Sequence, residues 1–172
     1  MASEITHHSS AIKERATKIY FLRHGLADWP NWDAARDAER PLTDEGIKKM
    51  KVEAKALARL DLGLDVILSS PYTRARQTAQ AVADQLGLKV IDEDQITPGF
   101  DVDRLRDVLR RYPNAESIIL VGHEPSFSAT ISQLIGGGQI VMKKGSLARV
   151  DVDSIDSPRG ELVWLLTPKL LA

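Results

Sequence analysis

Short apolar segments alternate along this chain with longer amphipathic segments, and this alternation limits the possible folds more than any other feature. The short segments are typical of buried strands, because they are rich in β-branched residues and are bounded by Gly or polar residues. They cover residues 18–22, 65–68, 88–91, 117–121, 147–152 and 161–167. In the segments between the first five, apolar residues recur every three to four positions, which predicts helices with one buried face.

Several of the predicted helices carry terminal signals. Thr43 precedes a helix as an N-cap, and Pro71 suits the first position of the next helix. Gly87 can end that second helix in a left-handed conformation. A later helix opens at Pro125 and runs out at the three glycines 136–138, whereas residues 26–41 show no period and predict a loop.

Strands that alternate with helices predict an α/β fold with a mostly parallel central sheet and helices on both faces. The sequence has 172 residues, which is enough for one domain but short for two. We therefore expect residues 1–17 to form a flexible polar leader, with no functional weight for His7 and His8, and residues 18–172 to form a single domain.

Three separate segments that could carry chemistry each follow a predicted strand. Arg23 and His24 follow the predicted strand 18–22, and residues 70–74, which include Arg74, follow the strand 65–68. His123 follows the strand 117–121, which is the most hydrophobic of the predicted strands. In open α/β sheets, ligands bind beyond the carboxyl ends of the strands. The topology therefore predicts that these residues meet at one edge of one sheet.

Two His and two Arg at one sheet edge predict an anion site, and phosphate fits it well. Guanidinium groups match phosphate oxygens in a bidentate manner and remain charged at any working pH. One imidazole can attack phosphorus while the other donates a hydrogen bond to a phosphoryl oxygen. The Arg charges are expected to favour the neutral, nucleophilic form of the attacking ring.

Composition excludes several other classes of function. The chain has no Cys, so thiolate catalysis, disulfides and cysteine-based zinc sites are excluded. Its net charge of -1 gives no basic footprint for nucleic acid, and no apolar run is long enough to span a bilayer. We find no carboxylate cluster for a divalent metal and expect no cofactor. A cytoplasmic location is the default expectation.

Four motifs extend this interpretation, because together they resemble the histidine phosphatase, or phosphoglycerate-mutase-like, superfamily. They are LRHG at 22–25, RPLTDEG at 40–46, SSPYTRARQTA at 69–79 and VGHE at 121–124. In its small size, the chain resembles the subgroup of phosphohistidine phosphatases that act on signalling proteins. The resemblance implies that His24 is the nucleophile, that Arg23 and Arg74 clamp the phosphate, and that His123 is the second phosphate-binding imidazole.

The resemblance does not supply a proton donor. Larger members of the superfamily carry an acidic donor in a segment that this chain lacks or has shortened. Asp101 and Glu124 are the candidates here, and Asp28 is a weaker third. Arg76 is expected to be an ordinary solvated helix residue.

The expected function is a metal-independent phosphatase that forms a covalent phosphohistidine and removes phosphate from phosphohistidine on proteins. One alternative is a phosphomonoesterase or mutase for small phosphorylated metabolites, although no segment is long enough for the lid that mutases usually build. A second alternative is a phosphate-binding module without catalysis. Trp29 and Trp32 could cover the rim of the core or contact a protein partner.

Overall fold

The computed structural model describes residues 16–171. The strands are β1 (Thr17–Arg23), β2 (Val66–Ser69), β3 (Val90–Asp92), β4 (Ser117–Gly122), β5 (Leu147–Val152) and β6 (Gly160–Leu166). The α-helices are α1 (Asp44–Ala58), α2 (Thr73–Leu86), α3 (Val102–Arg111), α4 (Ser126–Leu134) and α5 (Pro168–Leu171). A short 3₁₀ helix, Ala34–Glu39, lies between β1 and α1 and is called the 3₁₀ segment below.

All six strands form one sheet in the order β3-β2-β4-β1-β5-β6. The pairs β3-β2, β2-β4 and β4-β1 are parallel, whereas β5 pairs with β1 and β6 pairs with β5 in the antiparallel sense. The central strand β4 is buried along its whole length, in keeping with its strongly apolar sequence. The carboxyl ends of β2, β4 and β1 therefore lie side by side.

Helices cover both faces of the sheet, and side chains alternate between the two cores. Ile19 and Phe21 of β1 pack in a core with α3 and α4, while Tyr20 and Leu22 pack on the opposite face. That second core includes α1, α2 and Leu171 of α5. The prediction of a mostly parallel sheet with helices on both faces is confirmed.

Several predicted details hold, and others change. Thr43 caps α1 by accepting the backbone N–H of Gly46, and Gly87 ends α2 with a φ of 67°. However, α2 begins at Thr73 rather than at Pro71, because Ser70 Oγ accepts the N–H of Tyr72 and holds residues 70–72 in a turn. The aperiodic stretch 26–41 also contains the 3₁₀ segment, which was predicted as loop.

The predicted leader lies outside the described residues except for its last two positions. Of these, Thr17 already belongs to β1, where it pairs with Val152. His7 and His8 also lie outside the described residues.

Candidate active site

Backbone hydrogen bonds between neighbouring strand ends fix the floor of the site. His24 N donates to the carbonyl of Gly122 at 3.0 Å, and Ser70 N donates to the carbonyl of Val121 at 2.9 Å. The first bond continues the β1-β4 pairing and the second continues the β2-β4 pairing. The sheet thus aligns the residues that follow β1, β2 and β4 at one edge, as the topology predicts.

His24 is 6% exposed, and hydrogen bonds to both of its ring nitrogens define its tautomer. Nδ1 lies 2.7 Å from the carbonyl oxygen of Gly25, and Nε2 lies 3.2 Å from Nε of Arg74. A carbonyl can only accept and a guanidinium can only donate, so the proton sits on Nδ1 and the lone pair on Nε2. Gly25 is held in turn by Thr78, whose Oγ1 accepts its N–H at 3.0 Å.

Burial keeps the His24 imidazole neutral. It lowers the pKa of His24 to about 3, and the charges of Arg74, Arg23 and Arg40 add to this effect, while the bond to Gly25 opposes it. The sequence predicted a neutral ring because of the neighbouring Arg charges. The structure gives the same outcome, but desolvation is the larger cause.

Arg74 is almost fully buried although it carries a permanent charge. Its Nη1 donates to the carbonyl of Asp37 at 2.7 Å, and its Nη2 donates to the Asp37 carboxylate at 2.9 Å. Because Asp37 lies in the 3₁₀ segment, that segment orients the guanidinium so that its Nε points at His24. Arg40 also contacts the Asp37 carboxylate, at 2.9 Å.

His123 faces His24, with the two ring centroids 5.4 Å apart. Its Nε2 lies 2.8 Å from Ser70 Oγ, and its ring packs edge-on against Tyr72 at 5.0 Å. Burial lowers the pKa of His123 to about 3, and the neighbouring His24 and Arg74 contribute in the same direction. Its buried Nδ1 has no hydrogen-bond partner within residues 16–171.

Arg23 ends β1 beside His24, and its Nη1 donates to the carbonyl of Met142 at 2.7 Å. Burial lowers the pKa of Arg23, whereas the charges of Glu124 and Asp28 raise it. Its buried Nε has no hydrogen-bond partner in the described part of the chain. The structure therefore brings the charged Arg23 and Arg74 together with the neutral imidazoles of His24 and His123, and these residues are called the four-residue cluster below.

Comparison with known proteins identifies the family of this chain. The sequence model of the histidine phosphatase superfamily, branch 1, matches residues 19–97. The phosphohistidine phosphatase SixA of Escherichia coli strain K12 is 30% identical over 156 residues, which cover 88% of this chain and 94% of SixA. The chain belongs to the histidine phosphatase superfamily.

Other relatives agree with this membership. An uncharacterized protein of Picosynechococcus is 38% identical over 112 residues, covering 63% of this chain and 67% of that protein. Among solved structures, the protein histidine phosphatase SixA complexed with tungstate has a TM-score of 0.78 at 27% identity. That alignment covers 91% of this chain and 100% of the SixA chain.

The candidate proton donors of this histidine phosphatase differ in position. Asp101 is exposed and caps α3 by accepting the N–H of Arg104, and within residues 16–171 no hydrogen bond or ion pair joins it to the four-residue cluster. Glu124 lies next to His123, and its charge acts on Arg23. Asp28 is paired with Lys144, which lowers the pKa of Asp28 and keeps it ionised.

Arg76, Trp29 and Trp32 lie outside the four-residue cluster, and each has its own hydrogen-bond or ion-pair partner. Arg76 is half-exposed and pairs with Asp92 at 2.9 Å, in accord with its expected solvated role. The indoles of Trp29 and Trp32 donate to the carbonyls of Pro41 and Arg36, so both tie down the loop before α1.

The described region contains neither a metal-binding cluster nor a membrane-spanning helix. Residues 16–171 contain no group of three or more His, Asp or Glu side chains arranged to hold a metal ion. No helix formed by these residues is long and apolar enough to cross a membrane.

Asp37 is the residue that sequence reasoning missed. It lies in a segment without hydrophobic period, and its carboxylate contacts Arg74, which is 37 positions further along the chain. The nearby RPLT block marked this region as part of the family pattern, but nothing in the sequence distinguished Asp37 from its acidic neighbours.

Proposed function

We propose that this protein is a metal-independent phosphatase that forms a covalent phosphohistidine on His24 and removes phosphate from phosphohistidine on proteins. The names of its relatives support this substrate class, since they include a phosphohistidine phosphatase and a protein histidine phosphatase. The latter was solved in complex with tungstate, a tetrahedral oxyanion like phosphate, which supports an oxyanion as the bound group.

The observation that carries the proposal is the state of His24. A buried, neutral imidazole presents its Nε2 lone pair to a site with two guanidinium groups and a second imidazole. A nucleophile needs that free lone pair, and the cations stabilise charge that develops on the phosphoryl oxygens. The Nε of Arg74 donates to Nε2 of His24 at 3.2 Å, and on substrate binding it would turn to one of those oxygens and so free the lone pair.

The reaction then proceeds in two displacements. In the first, His24 Nε2 bonds to phosphorus while the bond from phosphorus to the substrate nitrogen breaks, and that nitrogen takes up a proton. In the second, water attacks phosphorus, the bond to Nε2 breaks, and inorganic phosphate leaves. Throughout, the phosphoryl oxygens are held by Arg23, Arg74 and His123.

The role of His123 requires a proton on its Nδ1. The Ser70 hydroxyl accepts the N–H of Tyr72 and can donate its own hydrogen to His123 Nε2. In that arrangement the neutral ring carries its proton on Nδ1, which has no protein partner within residues 16–171 and can donate to a phosphoryl oxygen.

A substrate with phosphate on nitrogen suits a site that lacks a well-placed general acid. An alkoxide leaving from an ester is strongly basic and is normally protonated by a positioned acid. Imidazole titrates at about 6.5, so its departure depends much less on such an acid. Asp28 is held ionised, and Asp101 caps α3 with no hydrogen bond or ion pair to the cluster among the described residues. Glu124 accepts the backbone N–H and the hydroxyl of Ser128, but it lies beside His123, so Glu124 and water remain as proton sources.

The test compares kcat/KM for a phosphohistidine peptide with that for phosphoserine peptides and sugar phosphates. We expect the phosphohistidine peptide to be hydrolysed best, and Glu124→Gln to slow it less than about 10-fold. Asp101→Asn is the matched control and is expected to leave all rates unchanged. If an ester is the best substrate and Glu124→Gln abolishes its hydrolysis, the protein is a phosphomonoesterase with a true general acid.

The same assay separates the remaining alternatives. Rates that survive exhaustive EDTA treatment support metal independence, whereas a loss that added metal restores would contradict it. A protein that binds phosphate but turns over none of these substrates would be a binding module. The cytoplasmic location stays a prediction, which cell fractionation would test.

A further inference from the structure

A cavity borders the four-residue cluster at the same edge of the sheet. Its volume is about 750 Å³, which is within the range of sites that hold whole organic ligands. Arg23 and Gly25 line it on the side of the cluster, and α1 and α5 form the other walls. A ligand that reaches from the cluster past Gly25 would therefore enter this cavity, called the lysine cavity below.

Four lysines give the cavity its charge, and two of them have no partner within the described part of the chain. Lys49 pairs with Glu45, and Lys144 pairs with Asp28. The side chains that remain unpaired among residues 16–171 belong to Lys143 and Lys169, which are both exposed and line the cavity. An acidic group entering the cavity would meet two uncompensated positive charges.

A buried carboxyl in the wall is the second sign of a ligand. Glu53 is 6% exposed and lines the cavity, and its buried Oε2 has no hydrogen-bond partner among the described residues. Oε2 packs against Gly145. A buried polar atom without a partner costs free energy, so a small rotation of the Glu53 side chain towards a donor brought by a ligand would be favourable. Burial also raises the pKa of Glu53 to about 7.

We propose that the lysine cavity binds an acidic segment of the phosphoprotein next to its phosphorylated residue. Acidic side chains of the segment pair with Lys143 and Lys169, and a backbone N–H donates to Glu53. Met50 and Pro168 supply apolar contact for the rest of the segment. This inference rests on the proposed function, because it identifies the substrate of the same site by its flanking residues.

A peptide fits these features better than a small anion does. A second phosphate would be attracted by the lysines but would offer the Glu53 carboxylate no donor beyond its own acidic hydrogen. A polypeptide presents acidic side chains and backbone N–H groups within one segment, and it is long enough to reach both the cavity and His24. The charge pattern therefore favours acidic flanking residues over basic ones.

The experiment uses two phosphohistidine peptides that differ only in their flanks, Asp and Glu in one, Asn and Gln in the other. We expect the full-length protein to have the higher kcat/KM for the acidic peptide. Lys143→Ala/Lys169→Ala is expected to lower that kcat/KM about 2- to 30-fold, from two exposed charge pairs. It is expected to leave the rate on phosphoramidate, which is too small to reach the cavity, unchanged.

The matched control is Lys55→Ala/Lys89→Ala, which removes the same charge outside the cavity. If both double variants lose the acidic preference equally, or if the parent shows no preference, the inference is overturned. Glu53→Leu is expected to lower kcat/KM for both peptides by the same factor, about 3- to 10-fold. Equal kcat/KM in Glu53→Leu and the parent would remove Glu53 from the binding site.

A binding measurement separates failure of this inference from failure of the proposed function. Titration with an unphosphorylated acidic peptide is expected to shift the NMR amide signals of residues 143–145 and 169, and to do so less in Lys143→Ala/Lys169→Ala. Shifts without turnover of phosphohistidine would retain the cavity as a binding site and overturn the proposed function. Turnover without these shifts would overturn the cavity alone.

Discussion

His24 combines two requirements that conflict for an exposed imidazole. A nucleophile needs a neutral ring, yet the same ring must lie among cations that hold the phosphoryl group. Here burial favours the neutral ring, and the nearby Arg charges, which would repel a charged ring, act in the same direction. The hydrogen bond to Gly25 then selects the nitrogen that keeps its lone pair.

The protonation state of both imidazoles can be measured directly. Because the pKa values of His24 and His123 are lowered to about 3, both rings are expected to stay neutral from pH 8 down to pH 5. Long-range ¹H–¹⁵N NMR spectra are expected to show the Nδ1–H tautomer for both. The unfolded protein is the control, since its imidazoles titrate at about 6.5. Titration of either folded ring between pH 6 and 7 would contradict this account.

Arg74 is the clamp residue whose contribution depends most on geometry. Arg74→Ala is expected to lower kcat about 10²-fold or more with a smaller change in KM, since the contact strengthens as the phosphoryl group becomes trigonal. Arg74→Lys is expected to recover only part, because an ammonium cannot hold Asp37 with one side and point Nε at the reacting group.

Arg76 provides the control for Arg74 on the same helix. It is half-exposed and paired with Asp92, so Arg76→Ala is expected to change kcat less than about 2-fold. Steady-state kinetics of Arg74→Ala, Arg74→Lys and Arg76→Ala would measure these changes in kcat and KM. Full activity in Arg74→Lys would mean that the fork geometry is unimportant.

At the scale of elements, the start of α1 and the loop after His24 depend on each other. Leu26, two residues beyond His24, accepts the N–H of the α1 cap Thr43 at 2.9 Å. Gly46 packs against the same carbonyl so closely that a Cβ at this position would collide with it. The helix is therefore seated on the loop that positions His24.

Gly46→Ala tests that packing. Alanine within a helix is normally more stable than glycine by about 1 kcal/mol. Here it is expected to lower the free energy of unfolding by about 1–3 kcal/mol and to reduce kcat, because the loop must move. Urea unfolding and kinetics would measure both effects, with the exposed Lys48→Ala as control. A variant that is more stable than the parent would contradict the proposed packing.

The sequence predicted those elements whose signals are local. The Thr43 cap and the Gly87 terminator each depend on a few neighbouring residues, and both are present. The ends of β1 and β4 were predicted at residues 22 and 121 and lie one residue later, at Arg23 and Gly122. The start of α2 was wrong because Ser70 is engaged by Tyr72 and His123, which is a tertiary contact. Asp37 was missed for the same reason, since its position depends on Arg74 and Arg40.

At the scale of the whole molecule, the sheet order explains why three distant segments form one site. Strands β2, β4 and β1 are neighbours and run in parallel, so their carboxyl ends deliver Ser70, His123 and His24 to one place. The motifs supported the phosphatase chemistry, but the lysine cavity could not be predicted, because its walls come from α1, α5 and the loop before β5.

The buried Glu53 is expected to make global stability depend on pH. Its folded pKa is raised from 4.5 to about 7, so its favourable contribution is complete below pH 4.5 and is lost as pH rises towards 7. Relative to Glu53→Gln, the parent is expected to lose up to about 3 kcal/mol across this window. Urea unfolding of both proteins between pH 4 and 8 would measure the difference. A difference independent of pH would show that the pKa of Glu53 is the same in the folded and unfolded protein, which would contradict this prediction.

The most direct test of the central claim is to trap the phosphoenzyme. Rapid quenching of the parent with labelled phosphohistidine substrate is expected to leave phosphate on the peptide that contains His24. The bond is expected to be stable to alkali and labile to acid, as a phosphorus–nitrogen bond is. His24→Ala is expected to retain its fold, to carry no label and to have no turnover. A label on another residue, or full turnover in His24→Ala, would contradict the account.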